Sequence, residues 1–197
     1  MDAYQIIGKL ARQGGGIVST KRAEAAGISR ATLSKLCKQG KLQRIARGQY
    51  SFGDSLADEL LSFSLRTEQL IFSHETALFL HGMSDRTPFV HSITVPSSYI
   101  PSPSLRSECK VYYIKPELFD LGKITLPTPF GNLVPCYDME RTLCDILRSR
   151  NKIGTETLLA ALKQYAVCRE KNLNRLSQYA AKMNLTNLVR QYLEVLL

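Results

Sequence analysis

The sequence predicts an α+β protein built in two parts, and two observations lead to this prediction. The first is charge. Residues 1–50 of the 197-residue chain hold ten Lys or Arg and two acidic residues, a net charge of +8, whereas residues 51–197 hold sixteen basic and fifteen acidic residues, a net charge of +1. The second is the spacing of apolar residues. In some segments they recur every three or four residues, as in helices, and in others at every second residue, as in strands. We therefore predict domains at 1–53 and 54–197.

Composition excludes several classes of protein. A hydrophobic content of 44% is too high for general disorder, and no apolar run approaches the ~18 residues that span a bilayer. The first residues lack the apolar stretch of a signal peptide, so secretion is not expected. Five scattered cysteines form no C-x-x-C pair, which favours reduced thiols over disulfides or zinc ligands. We expect a cytoplasmic protein without membrane contact, metal or cofactor.

The first part begins with two short helices. Apolar side chains recur at helical spacing over residues 2–12, and three consecutive glycines end that helix. A strand of two or three residues at 17–18 and a short helix capped by Thr20 or Ser19 follow.

The third predicted helix, residues 30–39, has two different faces. Leu33, Leu36 and Cys37 lie on one side at spacings of three and four, and Ser29 is placed to cap the first turn. The opposite side carries short residues near its start and lysines toward its end. This order suits a helix in the DNA major groove, because short side chains let it approach base edges while longer cations reach phosphates.

Two segments after this helix, in which polar and apolar residues alternate, predict a β-hairpin. Residues 41–45 and 49–52 supply its strands, and Arg47 lies at its tip. The residues available for the core are Leu42, Ile45, Tyr50 and Phe52. Helix, strand, helix, turn, helix and hairpin in this order are typical of a winged helix-turn-helix domain.

Charge and element order together predict that this domain binds double-stranded DNA. Two other interpretations remain: a basic surface that only faces solvent, and a winged helix that contacts proteins. The side chains expected at the DNA are Lys21, Arg22, Ser29, Arg30, Ala31, Thr32, Ser34, Lys35, Lys38, Gln43, Arg44 and Arg47. Base contacts are expected from Arg30, Ala31, Ser34 and Lys35, and phosphate contacts from Lys21, Lys38, Arg44 and Arg47.

The sequence pattern of residues 54–197 predicts a mixed α+β domain with a small sheet and a helical C-terminus. Its helices are expected at 55–66, after a Ser73 cap, after an Asp138 cap, and near 155–167, 173–183 and 185–196. Its strands are expected at 91–95, 110–115 and 124–126, with an exposed loop at 97–107.

The acidic and histidine side chains of this domain form no recognisable catalytic pattern. The candidates are His74, Glu75, His81, Asp85, Asp138, Glu140 and Asp145. His74 and His81 are seven residues apart, which is not the i, i+4 spacing of a helical zinc site. Asp138 is explained as a helix cap, and Arg141 with Asp145 as an i, i+4 ion pair. The chain also lacks a nucleophile elbow and a phosphate loop, so we predict that it is not an enzyme.

Five short motifs give the chain a resemblance to the AbiEi family of antitoxins, the antitoxin halves of bacterial abortive-infection systems against phage. They are ARGQY at 46–50, SHETAL at 73–78, HGMSD at 81–85, ITVP at 93–96 and DMERTLCD at 138–145. The resemblance extends from about residue 3 to about residue 190. Each motif is short, so their order carries the specificity.

The resemblance implies a protein with two roles. The winged helix would bind repeats in its own promoter and repress the operon. The C-terminal domain would counter a nucleotidyltransferase toxin encoded beside it, in the type IV manner, without a stable complex. The residues themselves lead only to DNA binding. Because the chain has no heptad seam for a stable dimer, we expect a monomer in solution that pairs on DNA.

Two other functions remain open. One is an ordinary transcriptional regulator whose second domain senses a small ligand. The other is a nucleic-acid-modifying enzyme that uses the histidine and aspartate side chains of the second domain.

Overall fold

The computed structural model describes residues 2–52, 57–84 and 86–193. The chain forms two compact units. The first comprises Met1–Arg66 and Pro127–Leu133, and the second comprises Thr67–Leu126 and Val134–Leu197. The first unit is therefore larger than the predicted domain of residues 1–53. It takes in a helix and a loop that the sequence assigned to the second domain.

Within the described residues, the first unit contains four helices and a three-stranded antiparallel sheet. They are α1 (Ala3–Gln13), β1 (Val18–Ser19), α2 (Thr20–Ala25), α3 (Arg30–Lys38), β2 (Leu42–Ala46), β3 (Gln49–Phe52) and α4 (Glu59–Ser64). The strand order is β1-β3-β2. The predicted helices of the first fifty residues and the predicted hairpin are all present.

Local hydrogen bonds explain where these helices begin. Asp2 and Gln5 form a capping box at α1, in which each side chain accepts from the other residue's backbone amide, at 2.8 Å and 3.2 Å. At α2 the cap is Ser19, whose Oγ accepts from the amide of Arg22, and Thr20 is the first helical residue. The core between the helices and the sheet includes Ile7, Leu33 and Leu42, each at most 3% exposed.

The last strand of the hairpin is covered on both faces. Tyr50 and Phe52 pack against the helical core as predicted. Gln49 and Ser51, on the other face of the strand, are also buried. The Gln49 amide donates to the carbonyl oxygen of Ser62 at 3.0 Å, and the Ser62 hydroxyl donates to Gln49 Oε1 at 2.6 Å. These bonds explain why the first unit continues beyond the hairpin.

Helix α4 is capped by Asp58, whose carboxylate accepts from the amide of Leu61 at 3.1 Å. The same buried carboxylate accepts from the Thr128 hydroxyl at 2.5 Å and from the Asn132 amide at 2.8 Å. The segment Pro127–Leu133 thereby packs in the first unit. The predicted helix start at Ser55 and the predicted turn at 53–55 lie outside the described residues.

The second unit contains a five-stranded mixed sheet and six helices within the described residues. They are β4 (Ile71–Phe72), α5 (His74–Leu80), β5 (His91–Pro96), α6 (Pro103–Glu108), β6 (Cys109–Ile114), β7 (Lys123–Pro127), β8 (Leu133–Tyr137), α7 (Met139–Arg148), α8 (Thr155–Val167), α9 (Leu173–Lys182) and α10 (Thr186–Leu193). Strand order is β6-β5-β4-β8-β7. Strand β4 is antiparallel to β5 and parallel to β8, and β5 is parallel to β6.

Three elements of this unit differ from the sequence prediction. Strands β4 and β8 were not predicted, because the first has two residues and the second is interrupted by Pro135. The predicted exposed loop at 97–107 was wrong in its second half, which contains α6. Ser102 caps that helix and Pro103 occupies its first turn. Serine at a cap and proline in the first turn both favour a helix start.

Helix α7 lies at the centre of the second unit. All eight residues from Glu140 to Leu147 are buried. Its apolar members pack with Leu162, Tyr165 and Leu176 in the largest core cluster. Because the helix is buried on every side, its charged side chains are buried too. Buried charges need partners in the protein interior.

No disulfide joins the five cysteines, all of which lie in the described part of the chain. Cys109, Cys136 and Cys144 are buried, while Cys37 and Cys168 are partly exposed. Across residues 2–52, 57–84 and 86–193, no helix is both long and apolar enough to cross a bilayer.

Candidate nucleic-acid interface

Helix α3 presents the two faces that its sequence predicts. Ser29 caps it by accepting from the Thr32 amide at 3.1 Å. Leu33 and Leu36 are buried against the core at 0% and 8% exposure. The residues on the opposite, exposed face are Arg30, Ala31, Ser34, Lys35 and Lys38. The buried leucines fix the rotation of the helix and so decide which side chains face outward.

A groove of about 790 Å³ lies between α3 and the hairpin. Five residues expected at the DNA line it, namely Arg30, Ser34, Lys38, Arg44 and Arg47. Within the described part of the chain, this lining contains four cations and no carboxylate. Because these cations come from a helix and two positions on the hairpin, the fold concentrates charge that is spread over eighteen residues of sequence.

Four lining residues were not predicted: Thr20, Cys37, Gly48 and Tyr50. Gly48 carries the tip of the hairpin at φ +73°, a conformation that glycine adopts without strain. Its carbonyl oxygen accepts from the Thr20 amide at 2.7 Å and from the Thr20 hydroxyl at 3.2 Å. The hairpin tip is thus held against the start of α2. The R-G pair in the sequence marks the turn, but the Thr20 contact bridges 28 residues.

Arg30 differs from the other cations of the groove because it has an acidic partner. Its Nε lies 2.7 Å from Glu24 Oε1, and the hydrogen bond and charge of this carboxylate raise the pKa of Arg30. Lys35, Lys38 and Arg47 have no ion-pair partner among the described residues. Glu24 occupies the Nε donor of Arg30 and offsets part of its charge, so it competes with a base or a phosphate for this side chain. The prediction that Arg30 reads bases did not include this competitor.

The remaining expected contacts do not line the groove. They are Lys21, Arg22, Ser29, Ala31, Thr32, Lys35 and Gln43. Ala31 and Lys35 remain on the exposed face of α3. Thr32 is half-buried, with its hydroxyl 3.0 Å from that of Ser29. The Arg22 guanidinium lies against Gly14 at the end of α1.

Each of the three histidines lies in the second unit and has a hydrogen-bond partner. His74 is 3% exposed, and its ring nitrogens lie 2.9 Å from Ser73 Oγ and 3.0 Å from Ser149 Oγ. Its ring stacks on Tyr112 with centroids 3.4 Å apart. Burial first, and then the charges of Lys110 and Arg148, lower the pKa of His74 well below its ordinary value. His74 is therefore neutral at physiological pH.

Ser73 does not cap α5 with its side chain, contrary to the sequence prediction. Its hydroxyl instead accepts from Thr94 at 2.8 Å and lies beside His74. His81 donates from Nε2 to the carbonyl oxygen of Tyr137 at 2.8 Å. The Glu75 carboxylate pairs with Lys110 at 2.9 Å.

The carboxylates at the start of α7 are linked by Arg175, whose Nη1 lies 3.8 Å from Asp138 Oδ2 and 3.6 Å from Glu140 Oε2. Asp138 caps the helix at the Arg141 amide as predicted and also accepts from Tyr179, while Glu140 accepts from Tyr165 at 3.0 Å. Arg141 and Asp145 form the predicted pair at 3.1 Å, with side chains only 0% and 3% exposed. Asp85 lies outside the described residues. Among those described, no three His, Cys, Asp or Glu residues are placed to hold a metal ion.

Comparisons with known proteins give a family match for part of the first unit and a structural likeness for most of the chain. Residues 5–53 match a family model described as "Transcriptional regulator, AbiEi antitoxin". No curated protein sequence matches the chain. Among solved structures, the chain is similar to the RV2827C protein from Mycobacterium tuberculosis, with a TM-score of 0.66 and 20% identity over 94% of this chain and 76% of that one. At this identity the likeness shows a shared fold alone. The resemblance seen in the sequence is confirmed for residues 5–53, which match the AbiEi family of antitoxins and transcriptional regulators.

Proposed function

We propose that the first unit is a winged helix-turn-helix that binds double-stranded DNA at repeats in its own promoter. The observation that carries this proposal is the groove between α3 and the hairpin, lined by Arg30, Lys38, Arg44 and Arg47. A concave surface with four cations suits the phosphate backbone of DNA. The match of residues 5–53 to a family of transcriptional regulators supports the same function.

Roles within this surface follow from position. Lys38, Arg44 and Arg47 line the groove and are assigned to phosphates. Ser34 and Lys35 lie on the exposed face of α3 and are assigned to base edges in the major groove. Phosphate contacts set register and affinity, whereas base contacts set sequence preference, so substitutions at the two sets have different consequences.

The first test is the salt dependence of DNA binding by the full-length protein. If about five phosphates are neutralised per monomer, log K falls against log salt with a slope of roughly −4 to −5. Lys38→Ala with Arg47→Ala should make this slope shallower by about 2. Lys163→Ala, an exposed lysine on α8, is the matched control and should leave it unchanged. Fluorescence anisotropy with a promoter duplex measures all three, and a flat salt response contradicts the proposal.

The second test separates base contacts from phosphate contacts. Lys35→Ala should weaken binding to the promoter site more than binding to a random duplex, by about 1–3 kcal/mol. Arg47→Ala should weaken both equally. Equal losses from Lys35→Ala on both duplexes would assign this side chain to the backbone.

For the whole chain we propose an antitoxin that also represses its own operon. The second unit would counter a nucleotidyltransferase toxin without a stable complex, and the protein would be a monomer that pairs on DNA repeats. The family match of the first unit and the motifs at 73–85, 93–96 and 138–145 support this role. A regulator with a ligand-sensing second domain is the alternative, and it would give no protection against the toxin.

A full-length variant tests whether the two roles are separable. Truncation is unsuitable, because Asp58 and Thr128 are bonded within the first unit although they are 70 residues apart. Lys35→Ala, Lys38→Ala and Arg47→Ala combined should abolish repression while cells that express the neighbouring toxin stay protected. Reporter expression and cell growth are the measurements. Loss of protection by a folded triple variant would show that DNA binding is part of the antitoxin activity.

A further inference from the structure

A pocket of about 360 Å³ in the second unit lies where two parallel strands end. Strands β5 and β6 run in parallel register up to Pro96 and Ile114. The amide of Ser97 then donates to the carbonyl oxygen of Ile114 at 2.7 Å, which fixes the chain at the pocket wall. In α/β sheets the carboxyl ends of parallel strands are a recurrent place for ligands. The volume lies within the range of small-molecule sites.

Three cations from separate parts of the chain meet in this pocket. Lys115 follows β6, Arg148 is the last residue of α7 and Lys182 is the last residue of α9. Within the described residues the lining has one acid, Glu117, which lies 4.0 Å from Lys115 in an exposed pair. The second unit as a whole has 15 basic and 12 acidic residues, a net charge of +3. Positive charge is therefore concentrated at the pocket.

The cations are accompanied by apolar surface. Ile114, Leu118 and Met183 line the pocket, together with Tyr113, which is 47% exposed. The Arg148 guanidinium donates to the carbonyl oxygen of Tyr113 at 3.3 Å, which holds it beside the strand end. A site for inorganic phosphate alone needs no apolar wall, whereas a phosphate ester with a flat organic group uses both surfaces.

We propose that this pocket binds a nucleoside phosphate, with the phosphates held by Lys115, Arg148 and Lys182 and the base against Tyr113 and Met183. The site is separate from the DNA groove and does not depend on its function. Arg148 and Lys182 also lie in the last turns of helices, where cations offset the helix dipole. Lys115 follows a strand and has no such role, which makes it informative in the test.

Isothermal titration calorimetry of the full-length protein at low salt tests the proposal, with ATP, GTP, CTP, UTP and inorganic phosphate as probes. Because the first unit is basic, we expect it to attract nucleotides too. The titrations are therefore done in the background of the Lys35→Ala, Lys38→Ala and Arg47→Ala combination. We expect at least one nucleotide to bind more tightly than inorganic phosphate. Lys115→Gln and Lys182→Gln should each raise its Kd about tenfold. Lys163→Gln is the matched control and should leave the Kd unchanged.

Three results would overturn the proposal. The first is absence of binding by every nucleotide at millimolar concentration. The second is an affinity for inorganic phosphate equal to that of the best nucleotide. The third is a Kd that stays unchanged in both Lys115→Gln and Lys182→Gln. Circular dichroism of each variant establishes that it is folded, and both lysines are exposed, so their replacement removes charge without opening the core.

Discussion

The two units place their charged residues in opposite ways. In the first unit Lys35, Lys38 and Arg47 are exposed and have no ion-pair partner among the described residues. In the second unit Arg141 is fully buried, pairs with Asp145 at 3.1 Å, and donates from Nη1 to the carbonyl oxygens of Leu118 and Leu121 at 2.7 Å each. Both sets are visible in the sequence as charged residues, but the sequence does not show which of them are buried.

The difference shows that burial decides whether a cation is available to bind a partner or instead holds the protein interior together. An exposed cation is solvated, adds little to stability and remains available to a polyanion. A buried cation has lost its water and is tolerated only with partners, so its contacts position the chain around it. We therefore expect substitutions in the first set to change DNA binding and those in the second to change the free energy of unfolding.

The largest expected effect comes from breaking the buried pair. Arg141→Met leaves Asp145 buried without its partner and should lower the free energy of unfolding by about 3–5 kcal/mol. Arg141→Met combined with Asp145→Leu removes both charges and should recover much of that loss. The measurement is urea unfolding followed by circular dichroism.

A surface pair provides the control for this experiment. Lys123 and Asp120 lie 3.4 Å apart with side chains 40% and 77% exposed. Lys123→Met should cost less than about 1 kcal/mol. Similar losses for Arg141→Met and Lys123→Met would remove the distinction between buried and exposed charge in this unit.

The next effect concerns Asp58, a buried carboxylate of the first unit. It is 3% exposed and accepts from Leu61, Thr128 and Asn132. Asp58→Ala leaves these donors without an acceptor and should cost about 1–3 kcal/mol. Faster hydrogen exchange at α4 and at Pro127–Leu133 should accompany the loss. Asp120→Ala, at an exposed carboxylate, should change neither measurement.

A smaller effect, dependent on pH, comes from His74. Burial lowers its pKa, so the unfolded chain binds a proton below about pH 6.5 that the folded protein does not accept. The wild type should therefore lose stability as pH falls through this range, by up to about 1.4 kcal/mol per pH unit relative to His74→Asn. Asparagine tolerates the positive φ of 49° at this position. Parallel stability profiles of the two proteins between pH 5 and 7 would contradict this assignment.

The smallest effect is expected at Glu24, the carboxylate that pairs with Arg30. Glu24→Gln weakens the contact with Arg30 and removes a negative charge near the groove, so affinity for random DNA should rise about threefold at low salt. Stability should stay unchanged because both side chains are exposed. Glu170→Gln, an exposed acid outside the first unit, is the control. Unchanged affinity in Glu24→Gln would show that the Glu24–Arg30 pair does not limit DNA binding.

The sequence by itself determined those features that depend on neighbours a few residues apart. The helix starts at Asp2, Ser29 and Asp138 follow from side chains that bond amides three residues later. The faces of α3 follow from the spacing of Leu33 and Leu36. Such interactions act within one turn, so their residue types and spacing are sufficient to predict them.

Only the tertiary structure decided which distant side chains meet. Ser73 is a suitable cap, yet its hydroxyl bonds Thr94, 21 residues away. The spacing of Arg141 and Asp145 predicts an ion pair, but their burial depends on the helices and strands packed around α7. The extension of the first unit rests on the Asp58–Thr128 bond, which joins residues 70 apart. These contacts depend on how complete elements pack against one another, which spacing along one segment does not specify.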